Sequence, residues 1–355
     1  MTKIEWTKRP GTIGVSWNPL RVRNLETGGI GHFCEKVSAG CKNCYAETFQ
    51  KRFQNPIRYA AQDADQVEVF LDEKTLLEPL KWKKPRTVFV CSQTDIFLRH
   101  YSDEMICKVF AVMALCPLDT LIVLTKRPER AKLFLQSEQM QEQIGQMMRE
   151  IDPGATCYDC PDLDGIWPLR NVWLGTSVED QATANERIPL LLQTPASLRF
   201  ISAEPLLGPI DLNDIVTEMS DGTTDHFDAL DHIEAAMFKD DPNGLPALDW
   251  VIAGGESGNN ARPMHPAWDR SLRDQCNTSG VPFFLKQRGS TAPLSKSLPV
   301  SESSTELTVW PDGTTGKGRA EDHGGEGQIF YRTTKKAAGR LLDGVEHTAW
   351  PGDAA

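Results

Sequence analysis

The feature that most constrains the fold of this chain is the alternation of short, β-rich apolar runs with helix-like stretches. Strands that are separated by helices in this way are typical of parallel sheets built from strand–helix–strand units. The sequence therefore predicts an α/β fold, a partial or full TIM-type (β/α) barrel, with a doubly wound open sheet as the alternative. Strands are predicted at 14–17, 87–92, 120–125, 171–176, 198–202, 250–253 and 282–286, and helices near 45–55, 103–116, 127–150, 180–193 and 267–279.

Two insertions and a tail depart from this alternation. One insertion spans about residues 150–168, and the other is the acidic segment 211–247. After Gly289 the chain becomes rich in Ser, Thr and Gly, before a short helical signal at 335–342. We therefore expect a barrel over residues 1–289 and a partly ordered C-terminal extension over 290–355.

Charged side chains recur at the position where the predicted strands end. In parallel barrels the carboxyl ends of the strands meet on one face, and that face carries the active site. The alternative is that some of these groups cap the following helices or form ion pairs at the rim. Six strand ends supply the candidates, which are Asp95, Lys126, Glu179, Glu204, Glu256 and Lys286.

The nine cysteines do not form the pattern of a disulfide framework. Three of them, Cys34, Cys41 and Cys44, have the spacing C-x6-C-x2-C directly after the first predicted strand. Three thiolates suit an iron–sulfur cluster with one iron left open, a zinc site with a fourth ligand such as His32, or no metal at all. Cys157 and Cys160 form a separate close pair, and the other cysteines are predicted to be buried thiols.

The formal net charge of −11 is concentrated in one segment. Residues 211–247 hold ten acidic residues and one lysine, a net charge of −9, which leaves −2 for the rest of the chain. A protein that grips duplex DNA usually has a broad basic face, and the sequence shows none. No apolar run has the roughly 20 residues of a membrane span, and no secretory signal begins the chain. We therefore expect a soluble, cytoplasmic protein without a membrane partner.

Blocks of sequence along residues 1–290 resemble the phage-associated three-cysteine radical S-adenosylmethionine family. The usual spacing in radical enzymes of this kind is C-x3-C-x2-C, and this family tolerates a longer first spacer. The matching blocks are Lys3–Thr7, Trp17–Pro19, Val37–Glu47, Leu124–Arg130, Asn171–Gln181, Ser202–Ile210, Gly254–Gly258 and Phe283–Gln287, with Lys336–Gly344 resembling the family's ending.

The resemblance implies a radical SAM type of barrel and a set of cofactor ligands. A 4Fe–4S cluster would be held by Cys34, Cys41 and Cys44, and its open iron would chelate S-adenosyl-L-methionine. One electron, from a flavodoxin or ferredoxin type of donor, would cleave the cofactor to a 5′-deoxyadenosyl radical. Cofactor-binding roles would fall to Tyr45, Asp95, Ser177 and Glu179.

Substrate binding and catalysis are then left to Lys126, Glu204, Glu256 and Lys286. Lysines that face glutamates suit a zwitterionic, amino-acid-like group, and Arg127 and Arg262 suit bidentate contact with a carboxylate or phosphate. The resemblance implies phage-encoded DNA hypermodification in the host cell, with an N-linked glycyl-thymidine isomerised to the C-linked form. Since a base inside a duplex must be extruded and the chain is acidic, a nucleoside, a single strand or a substrate delivered by a partner is easier to accommodate.

Two other classes of function compete with this interpretation. One is a zinc-dependent barrel hydrolase that uses Cys41, Cys44 and a carboxylate, although histidines are scarce at the predicted strand ends. The other is a noncatalytic zinc-loop module that binds a partner, which would not need charges at every strand end. The metal that the purified protein holds distinguishes these classes.

Overall fold

The structure is a computed structural model that describes residues 4–50, 55–154, 167–218, 222–231, 246–293, 307–316 and 327–352. The strands are β1 (Ile13–Trp17), β2 (Leu20–Asn24), β3 (Ile30–Gly31), β4 (Val67–Leu71), β5 (Arg86–Val90), β6 (Thr120–Thr125), β7 (Val172–Ser177), β8 (Leu198–Ala203), β9 (Ile215–Glu218), β10 (Thr224–Phe227), β11 (Trp250–Gly254), β12 (Phe283–Gln287), β13 (Thr291–Pro293), β14 (Leu307–Val309), β15 (Thr315–Gly316), β16 (Gln328–Arg332), β17 (Leu341–Leu342) and β18 (Val345–Glu346). The α-helices are α1 (Tyr45–Gln50), α2 (Glu73–Leu76), α3 (Asp103–Ala114), α4 (Pro128–Gln136), α5 (Glu138–Ile151), α6 (Gln181–Leu192), α7 (Pro266–Ser279) and α8 (Lys335–Ala338).

All seven predicted strands form, and they belong to one sheet. Its hydrogen-bonded order is β1-β5-β6-β7-β8-β11-β12, and the registers β1–β5, β5–β6, β6–β7, β8–β11 and β11–β12 are parallel. The α/β prediction is therefore confirmed, and the strand order is compatible with a partial TIM-type barrel. Strands β7 and β11 are buried at every residue, and β6 at four of six, which is typical of parallel strands covered on both faces.

Helix ends follow from local sequence. Ser102 caps α3 by accepting from the backbone N–H of Met105, and two acidic residues follow in its first turn. The single helix predicted near 127–150 is instead two helices. Ser137 lies between them, where it ends α4 in an extended conformation and caps α5 through the N–H of Met140. Gly280 ends α7 with a φ of 72°, a left-handed conformation that glycine adopts at little cost.

Contacts divide the chain into two compact units, which do not follow a simple cut along the sequence. The first unit comprises Met1–Ser38, Cys44–Thr176 and Leu190–Arg199. The second unit comprises Ala39–Asn43, Ser177–Pro189 and Phe200–Ala355. The predicted division at residue 290 stays a prediction.

The first unit contains an antiparallel sheet that the strand–helix pattern did not predict. It has the order β3-β2-β4, so a three-stranded sheet lies between β1 and β5 in the sequence. Leu20 and Val22 of β2 are fully buried. The sheet was missed because β3 is only two residues long and β2 follows β1 after a two-residue gap.

The C-terminal tail in the second unit is more regular than predicted. Strands β13, β16, β14 and β15 form a four-stranded sheet. Beyond α8, the tail runs along the outer edge of β12, where Leu285 N donates to the carbonyl of His347 and Ala349 N donates to that of Phe283. This pairing covers an edge strand that would otherwise expose unpaired backbone groups.

Both predicted insertions are only partly described. Cys157 and Cys160 lie outside the described residues. In the acidic segment, β9 and β10 pair as a hairpin, and Leu212, Ala229 and Leu230 are fully buried near its base. Among the helices in the described parts of the chain, none is long and apolar enough to cross a membrane.

Candidate functional site

In the first unit, Cys34 lies in a segment that is fastened to the residues following β5 and β6. The carbonyl of Phe33 accepts a hydrogen bond from Thr94 Oγ1 at 2.5 Å, and the carbonyl of Glu35 accepts one from Arg127 Nη2 at 3.0 Å. The backbone on each side of the cysteine is therefore held by a side chain that follows a parallel strand.

The carboxylate of Glu35 also holds the Cys34 segment to residues that follow β5. It accepts hydrogen bonds from Arg99 Nη2 and His100 Nε2, each at 2.8 Å. Burial alone would raise the pKa of Glu35, but the hydrogen bonds from His100 and Arg99 outweigh it and lower that pKa below the ordinary value. Glu35 therefore stays ionised and keeps both contacts at neutral pH.

Asp95 organises the polar network behind Cys34. Its carboxylate accepts from the backbone N–H of Phe97 and Lys126, from Thr125 Oγ1 and from Arg127 Nη1. With 6% of its surface exposed, this carboxylate is engaged by groups of the protein itself. The contacts support a positioning role, and the prediction that Asp95 binds the amino group of S-adenosylmethionine stays a prediction.

Arg127 links this carboxylate to the cysteine. Its Nη1 lies 2.9 Å from Asp95 Oδ2 and 3.8 Å from Cys34 Sγ. Burial would lower the pKa of Arg127, but the negative charges of Asp95 and Cys34 outweigh it and raise that pKa. The guanidinium therefore remains charged beside the sulfur and favours its thiolate form.

Cys44 directly precedes α1, which begins at Tyr45 in the same unit. Tyr45 donates its hydroxyl to the carbonyl of Ser92 at 2.7 Å, and Tyr59 donates to the carbonyl of Gln93 at the same distance. Burial raises the pKa of Tyr59, and the charges of Cys44 and then Cys34 raise it further. Two of the three cysteines thus act on one buried phenol, which remains protonated.

In the second unit, the turn that carries Cys41 is held by the loop after β11. Asn43 Nδ2 donates to Glu256 Oε2 at 2.9 Å, and Arg262 Nη2 donates to the carbonyl of Ala39 at 3.0 Å. Arg262 also makes a bidentate contact with Glu256. Burial would raise the pKa of Glu256, but the hydrogen bonds from Arg262 and Asn43 lower it.

A buried ion pair lies against the same turn. Glu179 is fully buried, 3.4 Å from Arg187 Nη1, and Arg187 also donates to the carbonyl of Ser177 at 2.7 Å. A side chain on Gly40 would overlap the Glu179 carboxylate, so any larger residue at this position of the turn must displace Glu179 or the turn. Glu179 is therefore placed against the cysteine turn, and the cofactor contacts of Glu179 and Ser177 stay predictions.

The ends of β8 and β12 carry a second ion pair. Lys286 Nζ lies 2.8 Å from Glu204 Oε2, and both side chains keep a small exposed fraction, 15% and 19%. Gln287 Nε2 donates to Glu204 Oε1 at 3.2 Å and also to the carbonyl of Gly255. The amide thereby connects the ion pair to the loop that contains Glu256.

The remaining described cysteines differ from this trio. Cys34, Cys41 and Cys44 are partly exposed, whereas the other four are buried. Burial raises the pKa of three of them to about 12, so they remain thiols, as predicted. Burial raises the pKa of the fourth as well. In order, these four are Cys107, Cys116, Cys276 and Cys91.

The chemistry of these side chains suits a metal group, but their arrangement in the described residues does not form a metal site. Partly exposed thiols beside an arginine are suitable ligands for iron. Among the residues that the structure describes, however, no three His, Cys, Asp or Glu side chains are arranged around a metal position. His32, the candidate fourth ligand, is buried and bonded through Nδ1 to the carbonyl of Leu20, and burial lowers its pKa to about 4.

The structure brings some predicted site residues together within each unit. The Asp95 carboxylate accepts a hydrogen bond from the backbone N–H of Lys126, directly after β6, and Glu204 forms an ion pair with Lys286. Arg127 and Arg262 do contact carboxylates, but these belong to Asp95 and Glu256 rather than to a substrate. The sequence analysis did not identify the residues that support the site. Two of them could have been noticed, because Asn43 lies inside the C-x2-C spacing and Arg187 is a charged residue among apolar residues of a helix. The missed residues are Asn43, Tyr59, Thr125, Arg187 and Gln287.

Comparison with known proteins gives one match. A family model described as a protein of unknown function, DUF5131, matches residues 1–351. Searches of curated proteins and of solved structures each gave no match.

Proposed function

The chain belongs to the DUF5131 family, and we propose that it is a radical S-adenosylmethionine enzyme that isomerises a modified nucleoside. The observation that carries the proposal is the contrast among the cysteines. The three with C-x6-C-x2-C spacing are partly exposed. Cys34 lies in a segment held by Arg127, and Cys41 lies in a turn held by Glu256 and Arg262. Cysteines with only a packing role need neither exposure nor such attachments.

Cys34, Cys41 and Cys44 would hold a 4Fe–4S cluster, which together with bound S-adenosylmethionine supplies a hydrogen-abstracting radical. Arg127 stabilises the thiolate of Cys34 through its charge. Glu256 and Arg262 hold the backbone of the Cys41 turn, and Tyr45 fixes the start of α1 next to Cys44. These residues keep the ligands in place before the cofactor binds.

The pair Glu204–Lys286 would bind a zwitterionic group of the substrate. An amino-acid moiety offers an ammonium to Glu204 and a carboxylate to Lys286, so each ion exchanges one charged partner for another. In the proposed isomerisation the substrate loses a hydrogen atom from the glycyl α-carbon. The bond from nitrogen to the thymine methylene breaks, a bond from the α-carbon to that methylene forms, and the hydrogen atom returns to the nitrogen, so atoms and electrons balance. Lys126 and Glu256 are further candidates at strand ends.

Anaerobic reconstitution tests the radical chemistry. We expect a brown protein with about four irons per chain, which releases 5′-deoxyadenosine when it is reduced with S-adenosylmethionine present. Replacing the three cysteines by alanine should abolish both signals, whereas Cys276→Ala should abolish neither. A colourless protein that holds zinc would contradict the proposal and favour a zinc hydrolase or a zinc-loop binding module.

A nucleoside panel tests the substrate, with products scored by mass spectrometry. For an N-linked glycyl-thymidine we expect a product of unchanged mass and altered fragmentation. Lys286→Met should raise KM for this substrate far more than for an analogue that lacks the carboxylate. Equal effects on the two substrates would contradict the assigned role of Lys286.

A further inference from the structure

A group of basic residues in the first unit lies away from the cysteine segment, at the opposite end of the parallel strands. The pairings Ile13–Arg86, Thr87–Thr120 and Leu121–Val172 align the amino ends of β1, β5, β6 and β7 along one edge of the sheet. Basic residues lie in or next to the loops that lead into three of these strands. We call this group the basic edge, and it consists of Lys8, Arg9, Lys81, Lys83, Lys84, Arg86 and Arg170.

Within the described part of the chain, the basic edge forms no side-chain ion pair. None of its members lies within 4.0 Å of an acidic side chain in the described ranges, whereas Arg99, Arg127 and Arg130, near the other end of the strands, are all ion-paired. In the loops 8–12, 77–85, 115–119 and 169–171, the acidic residues are Glu78 and Asp119. Asp119 is buried and accepts from the backbone N–H of Arg86. Burial raises the pKa of Asp119, although this hydrogen bond and the charge of Arg86 act in the opposite direction.

Aromatic rings fix two of these cations without cancelling their charge. The guanidinium of Arg86 lies 4.5 Å from the ring centroid of Trp82, and that of Arg9 lies 5.4 Å from the centroid of Trp173. A cation held over a ring keeps its charge and loses mobility. The four lysines and Arg170 are exposed, so they remain available to a partner.

We infer that the basic edge binds the phosphodiester backbone of a nucleic acid. Four neighbouring strands span about 14 Å, at about 4.8 Å between strands. Along a duplex this distance matches about four phosphates of one strand, which are about 3.4 Å apart along the axis. The charges follow the sheet edge rather than surround a pocket, which favours a linear polyanion. Lysine and arginine contacts of this kind hold a nucleic acid without reading its sequence.

The inference goes beyond the proposed function, because it needs neither a metal nor S-adenosylmethionine. The sequence shows no broad basic face, whereas the fold brings basic residues from three loops to the same end of the sheet. The net charge of −11 includes the acidic segment in the second unit, so it does not describe this edge. A polymeric substrate is therefore compatible with the charge of the first unit.

Fluorescence anisotropy with labelled duplex DNA and with a labelled single strand tests the inference on the full chain as purified. We expect binding at low salt whose affinity falls steeply as salt is added, because each phosphate contact releases a counterion. The double variant Lys83→Glu/Lys84→Glu should weaken binding at least about tenfold and reduce the salt slope by about 2. Arg170→Glu, on a separate loop, should weaken binding and reduce the slope by about 1.

The matched control is Lys335→Glu/Lys336→Glu, which makes the same charge change at two adjacent lysines in the second unit. This control should bind DNA like the unaltered chain. No binding at low salt, or equal losses in both double variants, would overturn the inference. Competition by polyglutamate as effective as competition by unlabelled DNA would instead assign the edge to an acidic protein. Because no reductant or cofactor is used, these outcomes are independent of the radical chemistry.

Discussion

At the scale of single residues, Arg127 and Asp95 show how a strand end can act on a cysteine. Asp95 accepts hydrogen bonds from four residues, and its charge holds Arg127 within 3.8 Å of Cys34 Sγ. Arginine suits this position because its planar fork contacts a carboxylate, a carbonyl and a sulfur at once. Lysine would keep the charge and lose this geometry.

We therefore expect Arg127→Lys to lower the iron content after reconstitution and to cost about 1–3 kcal/mol of unfolding free energy. Arg130→Lys is the matched control, because Arg130 is also half-buried but donates to the carbonyls of Leu98 and Tyr101 rather than to a cysteine segment. It should cost similar stability without loss of iron. Equal iron loss in the two variants would contradict the role assigned to Arg127.

Asp269 provides a residue-scale prediction about pH. It is fully buried on α7, 2.6 Å from Arg288, and its Oδ1 has no hydrogen-bond partner among the described residues. Burial raises its pKa to about 6 from an ordinary 3.8, although Arg288 acts in the opposite direction. Between these values the folded chain binds the proton more tightly than the unfolded chain. Stability should therefore fall as pH rises through this window, by about 2–3 kcal/mol.

Asp269→Asn cannot ionise and should remove this dependence. The measurement is the free energy of urea unfolding at several pH values between 4 and 6. Asp274→Asn, on the exposed side of the same helix, should keep the slope of the unaltered chain. An unchanged slope in Asp269→Asn would show that another group causes the dependence.

At the scale of elements, the short turn Ala39–Cys41 depends on partners far away in the sequence. Arg262 and Glu256 hold its backbone, and Glu179 lies directly beneath Gly40. The turn has no buried residue of its own, so local sequence alone does not stabilise it. Its geometry comes from the loops after β7 and β11.

Gly40→Ala should therefore displace the turn, because the new Cβ overlaps the Glu179 carboxylate. We expect a loss of about 1–3 kcal/mol, as for overpacked sites, together with lower iron incorporation. Gly28→Ala is the control, since Gly28 has a φ of 70° but nothing close to its Cβ. It should be destabilised by backbone strain and should still bind iron. Normal incorporation in Gly40→Ala would contradict the role of this close contact.

At the scale of the whole molecule, the C-terminal tail contributes to the core of the second unit. Trp350 is 4% exposed and packs against Trp250 and Phe284, with ring centroids 4.8 and 5.7 Å apart. Trp250 in turn donates its indole N–H to the carbonyl of Ala349 at 2.9 Å. The last described residues thus complete the packing around β11 and β12.

Trp350→Ala should destabilise the protein by about 3–5 kcal/mol, the usual cost of removing a buried aromatic ring. Trp350→Phe keeps part of the aromatic contact and should cost less. Chemical denaturation followed by fluorescence and circular dichroism measures both. If the two variants unfolded like the unaltered chain, the tail would not contribute to this core.

The parallel strands were predictable because each one is a continuous apolar run bounded by polar residues, and such a run is a local property of the sequence. The strand Thr120–Thr125 was predicted to the residue, and the other six within two residues at each end. The sheet β3-β2-β4 was not predictable in the same way. Its pairing joins segments more than forty residues apart in the sequence, and its shortest strand carries too little pattern.

The sequence by itself determined the order of strands and helices, the position of charged groups at strand ends and the spacing of three cysteines. These are properties of neighbouring residues, governed by local periodicity and residue chemistry. Only the tertiary structure decided that Asp95 and Glu256 bind arginines of the protein and that Glu179 lies against Gly40. It also decided that basic residues gather at the amino ends of the parallel strands. The physical reason is that ion pairing and burial depend on distances between segments remote in sequence, which composition and spacing do not fix.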